Sequence, residues 1–347
     1  MKRIVMCFDG TWNKPGDEAL PPDERVESNV SRFYRSVTAG GNDGIEQVKW
    51  YNQGVGTHWF DRIAGGAFGA GLDLHVINGY QRLAELYNDG DEAYIVGFSR
   101  GAYTARSLVG MIRTCGLVSS ASASRLTPVA YGIYRTRQDG PDSTTAIAFR
   151  SRFAREIKIR FLGVWDTVGA LGIPLRVLND LNNNFYAFHD LRLSKIVDNA
   201  FHAVALDEHR EDYNVCLWQP TERPEQTLEQ RWFVGAHADV GGGYDDRNGQ
   251  AERRLSDIAL RWMQDKASSV GLGVDTVNIG DSNISGAVHD SFAEFLDGVY
   301  AETHQAYYRP VLSTEFGNEK LDPTIDLRRR ADAGYRPLNV GLPAIGN

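Results

Sequence analysis

The segment Gly97-Phe98-Ser99-Arg100-Gly101 constrains this chain more than any other. It has the form G-x-S-x-G, closes an apolar run (Ala93-Tyr94-Ile95-Val96) and opens a helix-like stretch, Ala102 to Ile112. Strand, sharp turn through a serine, then helix is the context a nucleophile elbow requires. A Cβ at 97 or 101 would crowd so tight a turn, so glycine is the residue that fits. The serine oxygen then projects at the carboxyl end of the strand, where the helix N-terminus presents partial positive charge. The pentapeptide alone is also compatible with a plain strand-to-helix turn in which Ser99 is a helix N-cap.

The rest of the chain supplies a sheet for such a turn. Ile4–Phe8, Val48–Asn52, Ala93–Phe98, Ile157–Trp165, Phe201–Leu206 and Trp232–Ala236 read as strands. Leu74–Tyr87, Ala102–Ile112, Val129–Arg137, Ser194–Ala200 and Leu255–Ala267 read as helices. Apolar strands alternating with helices predict a mostly parallel central sheet with helices on both faces. Such sheets place their sites at the carboxyl ends of the strands. The expected organisation is a single domain spanning 1–347. Its core is about 1–270, a cap insertion is expected at about 115–155, and a weakly patterned C-terminal extension at 271–347. The stretches 118–128 and 138–146 read as loops. Gly65 to Gly71 is glycine-rich and reads as a flap or a flexible helix entry. Its G-x-x-G-x-G spacing differs from the dinucleotide fingerprint and no strand precedes it.

Charge and cysteine content narrow the function classes. A formal net charge of -8 argues against a nucleic-acid partner, which needs a basic footprint. Three dispersed cysteines, Cys7, Cys115 and Cys216, fit a reducing compartment and give no zinc spacing; serine-hydrolase chemistry requires no metal and no cofactor. The five apolar residues after Lys2-Arg3 are too few for a secretory h-region, and no run reaches transmembrane length. The expectation is a cytoplasmic chain, or one exported by a route that needs no Sec signal.

A serine hydroxyl needs a base, and the base an acid that orients it. In an α/β hydrolase these follow in the order Ser, acid, His. Asp166 closes the apolar run Ile159–Trp165 and is the candidate acid; an Asx-turn is its alternative role. His237 follows a strand and precedes Gly241-Gly242-Gly243, and is the candidate base. Three glycines in a row imply a backbone that passes close to something, such as the nucleophile or substrate. His209, in the charged stretch Asp207-Glu208-His209-Arg210, is the alternate base, and Asp239 the alternate acid. His202 lies within a strand and reads as packed. An oxyanion hole needs two aimed donors. The backbone N–H of Arg100 is one candidate, and that of Gly10 or Thr11, just after the first strand, is the other. Asp9 is placed to brace that loop. Arg100 and Arg106 are candidates for an anionic head group, Arg106 the weaker, since a helical arginine is ordinarily a surface residue. Cys7-Phe8-Asp9-Gly10-Thr11 lacks the first carboxylate of the aspartyl-phosphate motif D-x-D-G-T, so that chemistry is not supported.

The segments FDGTWN (8–13), YNQGVGT (51–57), GDEAYIVGFSRGAYTARSLVGMI (90–112), FLGVWDTVG (161–169), ALDEHR (205–210) and HADVGGGY (237–244) together resemble one family. It is the bacterial and fungal domain family that includes the catalytic part of type VI secretion phospholipase effectors. The resemblance covers roughly residues 1–270 in motif order. It implies an α/β-hydrolase fold with a Ser-Asp-His triad at Ser99, Asp166 and His237. It also implies hydrolysis of carboxylic esters, with lipid or phospholipid acyl esters as substrate and peripheral contact with a membrane. The effectors are larger and carry added membrane-engaging regions. Two alternatives stand beside it, a small-ester carboxylesterase and a non-catalytic binding module on the same fold. Oligomeric state is not legible in the sequence.

Overall fold

The computed structural model describes residues 1–10, 26–54, 68–136, 140–168, 192–219, 223–244, 254–314 and 318–344. Its strands are β1 (Arg3–Phe8), β2 (Gln47–Asn52), β3 (Glu92–Phe98), β4 (Leu117–Val118), β5 (Ala154–Arg155), β6 (Ile159–Trp165), β7 (Asn199–Ala205), β8 (Thr227–Phe233) and β9 (Glu319–Leu321). Seven of them form one sheet in the order β2-β1-β3-β6-β7-β8-β9. Every pairing in it is parallel. β4 and β5 pair separately as a short antiparallel ribbon.

Side-chain alternation explains why the sheet is covered twice. On β1, Ile4, Met6 and Phe8 enter one apolar core, while Val5 and Cys7 enter the other. On β3, Ala93 and Ile95 join the first core, and Tyr94, Val96 and Phe98 the second. A strand with period-two side chains that is apolar at every position must be buried on both faces. On β6 the register against β3 shifts between Ala93 and Tyr94, which skips Arg160. The bulge turns Ile159 to the first core while Phe161 and Trp165 face the second.

Helices α1 (Asn29–Ser36), α2 (Phe68–Leu86), α3 (Arg100–Cys115), α4 (Ala123–Arg135), α5 (Thr144–Phe153), α6 (His237–Gly241) and α7 (Ser256–Ser269) supply the covering layers. α2, α3 and α4 line the first core, through residues such as Leu83, Leu108 and Ala130. α1 and α7 line the second, through Phe33 and Met263. Residues 115–155 feed Leu126 and Phe149 into the first core, so this segment extends the helical layer on that face. Residues beyond 270 also enter the body of the fold. Val311 and Ile325 lie in the second core, and β9 adds an edge strand on which buried Trp232 donates Nε1–H to Glu319 Oε2 at 2.7 Å.

Several expected elements shift. No helix forms over 194–200. Leu193, Val197 and Ala200 mimic a helical period, yet all three are buried on a segment that bridges to Ile159 and runs into β7. β8 begins at Thr227 and ends at Phe233, earlier than the apolar run suggests, because its first residues are polar. The serine- and alanine-rich loop stops at Ala123, where α4 starts. In the glycine-rich stretch, residues 65–67 lie outside the described set, and residues 68–71 open α2. Among the described residues, no helix is long and apolar enough to cross a membrane.

β1 has β2 on one side and β3 on the other, so the chain reverses direction across the sheet between β1 and β3. Ligand sites in open parallel sheets form outside the strand ends at such a switch point. The Gly97–Gly101 turn leaves β3 there.

Candidate active site

The turn after β3 is as tight as the sequence implies. A Cβ at Gly97 would lie 2.4 Å from the Gly101 carbonyl oxygen, and one at Gly101 would lie 2.1 Å from that of Phe8. Ser99 itself takes φ 57° and ψ -120°, a conformation L-residues adopt only when their surroundings hold it. Its N–H donates to the Trp165 carbonyl at 3.0 Å, which ties the elbow to the end of β6. Ser99 precedes α3 but makes no side-chain capping bond, so its hydroxyl does not serve the helix.

That hydroxyl faces His237. Ser99 Oγ and His237 Nε2 are 2.8 Å apart, and His237 Nδ1 is 2.6 Å from Asp166 Oδ2. A carboxylate only accepts, so Nδ1 carries the proton toward Asp166 and Nε2 is left to accept from the serine. The strand ends produce this alignment. Ser99 follows β3, Asp166 follows its neighbour β6, and His237 opens α6 after β8. Asp166 holds φ 36°, and its N–H donates to Ala203 on β7 at 2.7 Å. The His237 ring lies between Phe98, with centroids 4.7 Å apart, and the edge of Tyr213, at 5.2 Å. Gly241 and Gly242 make close approaches, though to neighbouring protein rather than to Ser99. A Cβ on Gly241 would meet the Phe98 ring at 2.0 Å, and Gly242, at φ 79°, passes the backbone of Glu27–Asn29.

Asp166 is fully buried and carries four bonds. Oδ1 accepts from the Ala205 N–H at 3.0 Å and Arg309 Nη1 at 2.7 Å; Oδ2 accepts from His237 and from Arg309 Nη2 at 3.1 Å. Burial alone would raise its pKa, but Arg309 and His237 overcome that and hold it well below the usual carboxylate range. His202, next to Trp218 at 5.5 Å, accepts the Thr167 N–H on Nε2 at 3.0 Å and so fixes the residue after Asp166. Burial pushes the His202 pKa down to about 3, so its ring is neutral, with Nδ1–H facing Gln230 Oε1.

A second carboxylate braces His237 from behind. Glu208 is buried, receives the His237 backbone N–H at 3.2 Å and is gripped by Arg210 at 2.8 and 2.7 Å. Against the cost of burial, the Arg210 hydrogen bonds and charge bring the Glu208 pKa to about 2. The alternates are engaged elsewhere. His209 turns to the Tyr307 carbonyl at 3.2 Å and the Tyr308 ring, and Asp239 holds His289 Nδ1 at 2.6 Å and caps α6 through the Ala236 N–H.

The loop after β1 passes close to the elbow, with the Asp9 carbonyl against Gly101. Asp9 braces it, taking the Gly10 N–H at 2.7 Å, Ser28 Oγ at 2.5 Å and the Tyr51 hydroxyl. The Gly10 N–H, an expected oxyanion donor, is thereby directed to Asp9. Thr11 lies outside the described residues. Arg106 is not on the surface as its helical position suggested. It is buried, donates to the Cys216 carbonyl at 2.5 Å and lies over the Trp218 ring at 4.7 Å. Sequence reasoning missed Arg309 altogether, and saw Glu208 only as part of a charged stretch after a strand.

Comparison with known proteins gives this geometry a family. The family model described as the type VI secretion system phospholipase effector Tle1-like catalytic domain matches residues 2–266. The uncharacterized protein YEL023C of Saccharomyces cerevisiae is 31% identical over 243 residues, which cover 63% of this chain and 33% of that one. The chain thus spans about a third of the length of this curated relative. Among solved structures, an uncharacterized protein from Pseudomonas aeruginosa aligns with TM-score 0.47 and 19% identity, over 88% of this chain and 51% of that one. A Tle1 effector bound to the VgrG spike of the type 6 secretion system aligns with TM-score 0.39 and 19% identity, over 70% and 51%. The extent of the family match shows that the chain belongs to the Tle1-like phospholipase effector catalytic domain family.

Proposed function

We propose that this chain hydrolyses acyl esters of phospholipids by a Ser-His-Asp acyl-enzyme mechanism. The observation that carries the reading is the continuous relay from Ser99 Oγ through His237 to Asp166, at 2.8 and 2.6 Å, on a strained elbow. Ser99 Oγ attacks the ester carbonyl carbon while His237 Nε2 takes its proton. The imidazolium formed is held by Asp166 and passes that proton to the leaving alcohol, a lysophospholipid. Water, deprotonated by the same nitrogen, then attacks the acyl-serine; the bond from the acyl carbon to Ser99 Oγ breaks, His237 returns the proton to Oγ and the fatty acid leaves. The Arg100 N–H, first in α3, serves the oxyanion, with Thr11 as the second donor from the loop after β1. Family membership supports the lipid substrate. The reading rests on ester hydrolysis and not on a delivery route.

The test is fatty-acid release from phosphatidylcholine vesicles by wild type, Ser99→Ala, His237→Ala and His209→Ala. Ser99→Ala and His237→Ala are expected to lose at least ~10³-fold in turnover. His209→Ala should stay within a few-fold of wild type. Undiminished release by Ser99→Ala contradicts the mechanism. Turnover of short-chain nitrophenyl esters with no fatty-acid release from vesicles contradicts the lipid substrate and supports a small-ester carboxylesterase.

A further inference from the structure

Arg309 lies beyond the matched family segment, which ends at residue 266, yet its guanidinium is fully buried against Asp166. Nη1 donates to Oδ1 at 2.7 Å and to the Ala205 carbonyl at 2.8 Å; Nη2 donates to Oδ2 at 3.1 Å and to the Tyr213 carbonyl. The backbone that presents it is fastened to the strand ends. Tyr307 N–H donates to the His209 carbonyl at 2.8 Å. The Asn339 side-chain amide donates to both the Arg309 and the Leu206 carbonyls, each at 3.0 Å.

From this geometry we infer that Arg309 is a positioning residue for the acid, so that the catalytic unit extends into the C-terminal segment. The inference rests on Ser99, His237 and Asp166 acting as proposed above. A lone carboxylate rotates about its last torsion and offers either oxygen to the imidazole. A guanidinium fork meeting both oxygens fixes the carboxylate plane and leaves one lone pair of Oδ2 for His237 Nδ1. The same cation keeps Asp166 ionised where burial disfavours charge. Lysine, a point charge without the fork, supplies the second effect but not the first.

The experiment uses the full chain with Arg309→Met, Arg309→Lys and Arg309→Ala, and Ser99→Ala as the control. It measures kcat and KM on a soluble ester, and the melting temperature of each variant. Arg309→Met is expected to lower kcat by about 10²-fold or more while KM stays within a few-fold, as for a misplaced catalytic group. Guanidinium at tens of millimolar should partly restore kcat of Arg309→Ala and leave Ser99→Ala dead. Where the Met or Ala variant melts below the assay temperature, Arg309→Lys carries the test, with a reduced kcat and an unchanged KM. A folded Arg309→Met or Arg309→Lys variant with wild-type kcat overturns the inference. So does a loss that guanidinium leaves unrestored and that KM shares. Activity in Ser99→Ala would overturn the triad reading instead; a dead Ser99→Ala beside fully active Arg309 variants sinks only the role of Arg309.

Discussion

His202 shows how much of this site is held by groups that never meet a substrate. Its neutral ring accepts the Thr167 N–H, and protonating Nε2 would break that bond. The folded imidazole has its pKa pushed down to about 3, whereas in the unfolded chain it returns to about 6.5. Between those values the unfolded state binds the extra proton. Stability from the neutral ring is therefore full above that window and is lost as pH falls through it. The carboxylates act lower. Glu208, held near 2, stabilises above the ordinary carboxylate range of about 4 and loses that contribution as pH falls toward 2. The expected outcome is that the melting-temperature gap between wild type and His202→Asn narrows between about pH 7 and about pH 5. A gap that stays constant would show that His202 does not titrate as the geometry requires. Residues of this kind were unevenly legible. Ser99, Asp166 and His237 stood out because each closes or follows an apolar strand, in the order a hydrolase needs. Arg309 had no local sign, since its partner lies 143 positions away in the chain and nothing in Tyr307-Tyr308-Arg309 marks it.

Elements were legible where burial made them apolar on both faces. β1, β3 and β6 read directly as strands because nearly every position along them is apolar. β7 and β8 were displaced in the reading because their first turns of chain are mixed, and β9 is only Glu-Lys-Leu. β9 is held by its pairing with β8 and by Glu319 under Trp232, which are tertiary facts. The elbow was the best-specified element, and its glycines give a paired test. Gly97→Ala places a methyl 2.4 Å from the Gly101 carbonyl, whereas the space around Gly132 in α4 is open. Gly97→Ala is expected to destabilise by about 1–3 kcal/mol or more and to lower turnover, because the elbow must open. Gly132→Ala should stabilise by about 0.5–1 kcal/mol with turnover unchanged. Thermal melts and a soluble-ester assay check both. Equal stability of the two variants would mean the elbow relaxes without cost.

The whole molecule joins a two-faced parallel sheet to a C-terminal segment that closes behind Asp166. On the proposed lipid substrate, its formal net charge of -8 bears on the charge of the surface. Like charges repel and salt screens the repulsion over about 10 Å at 0.1 M, so hydrolysis of anionic vesicles should rise with added salt. Hydrolysis of zwitterionic vesicles should change little. A fall on anionic vesicles with salt would reveal a local basic surface that outweighs the net charge. The central claim is narrower, that Ser99 is an activated nucleophile. Mass spectrometry of the chain treated with a fluorophosphonate tests it most directly. The account predicts a single phosphonyl adduct on Ser99, absent from Ser99→Ala and strongly slowed in His237→Ala; no adduct, or one on another residue, would contradict it.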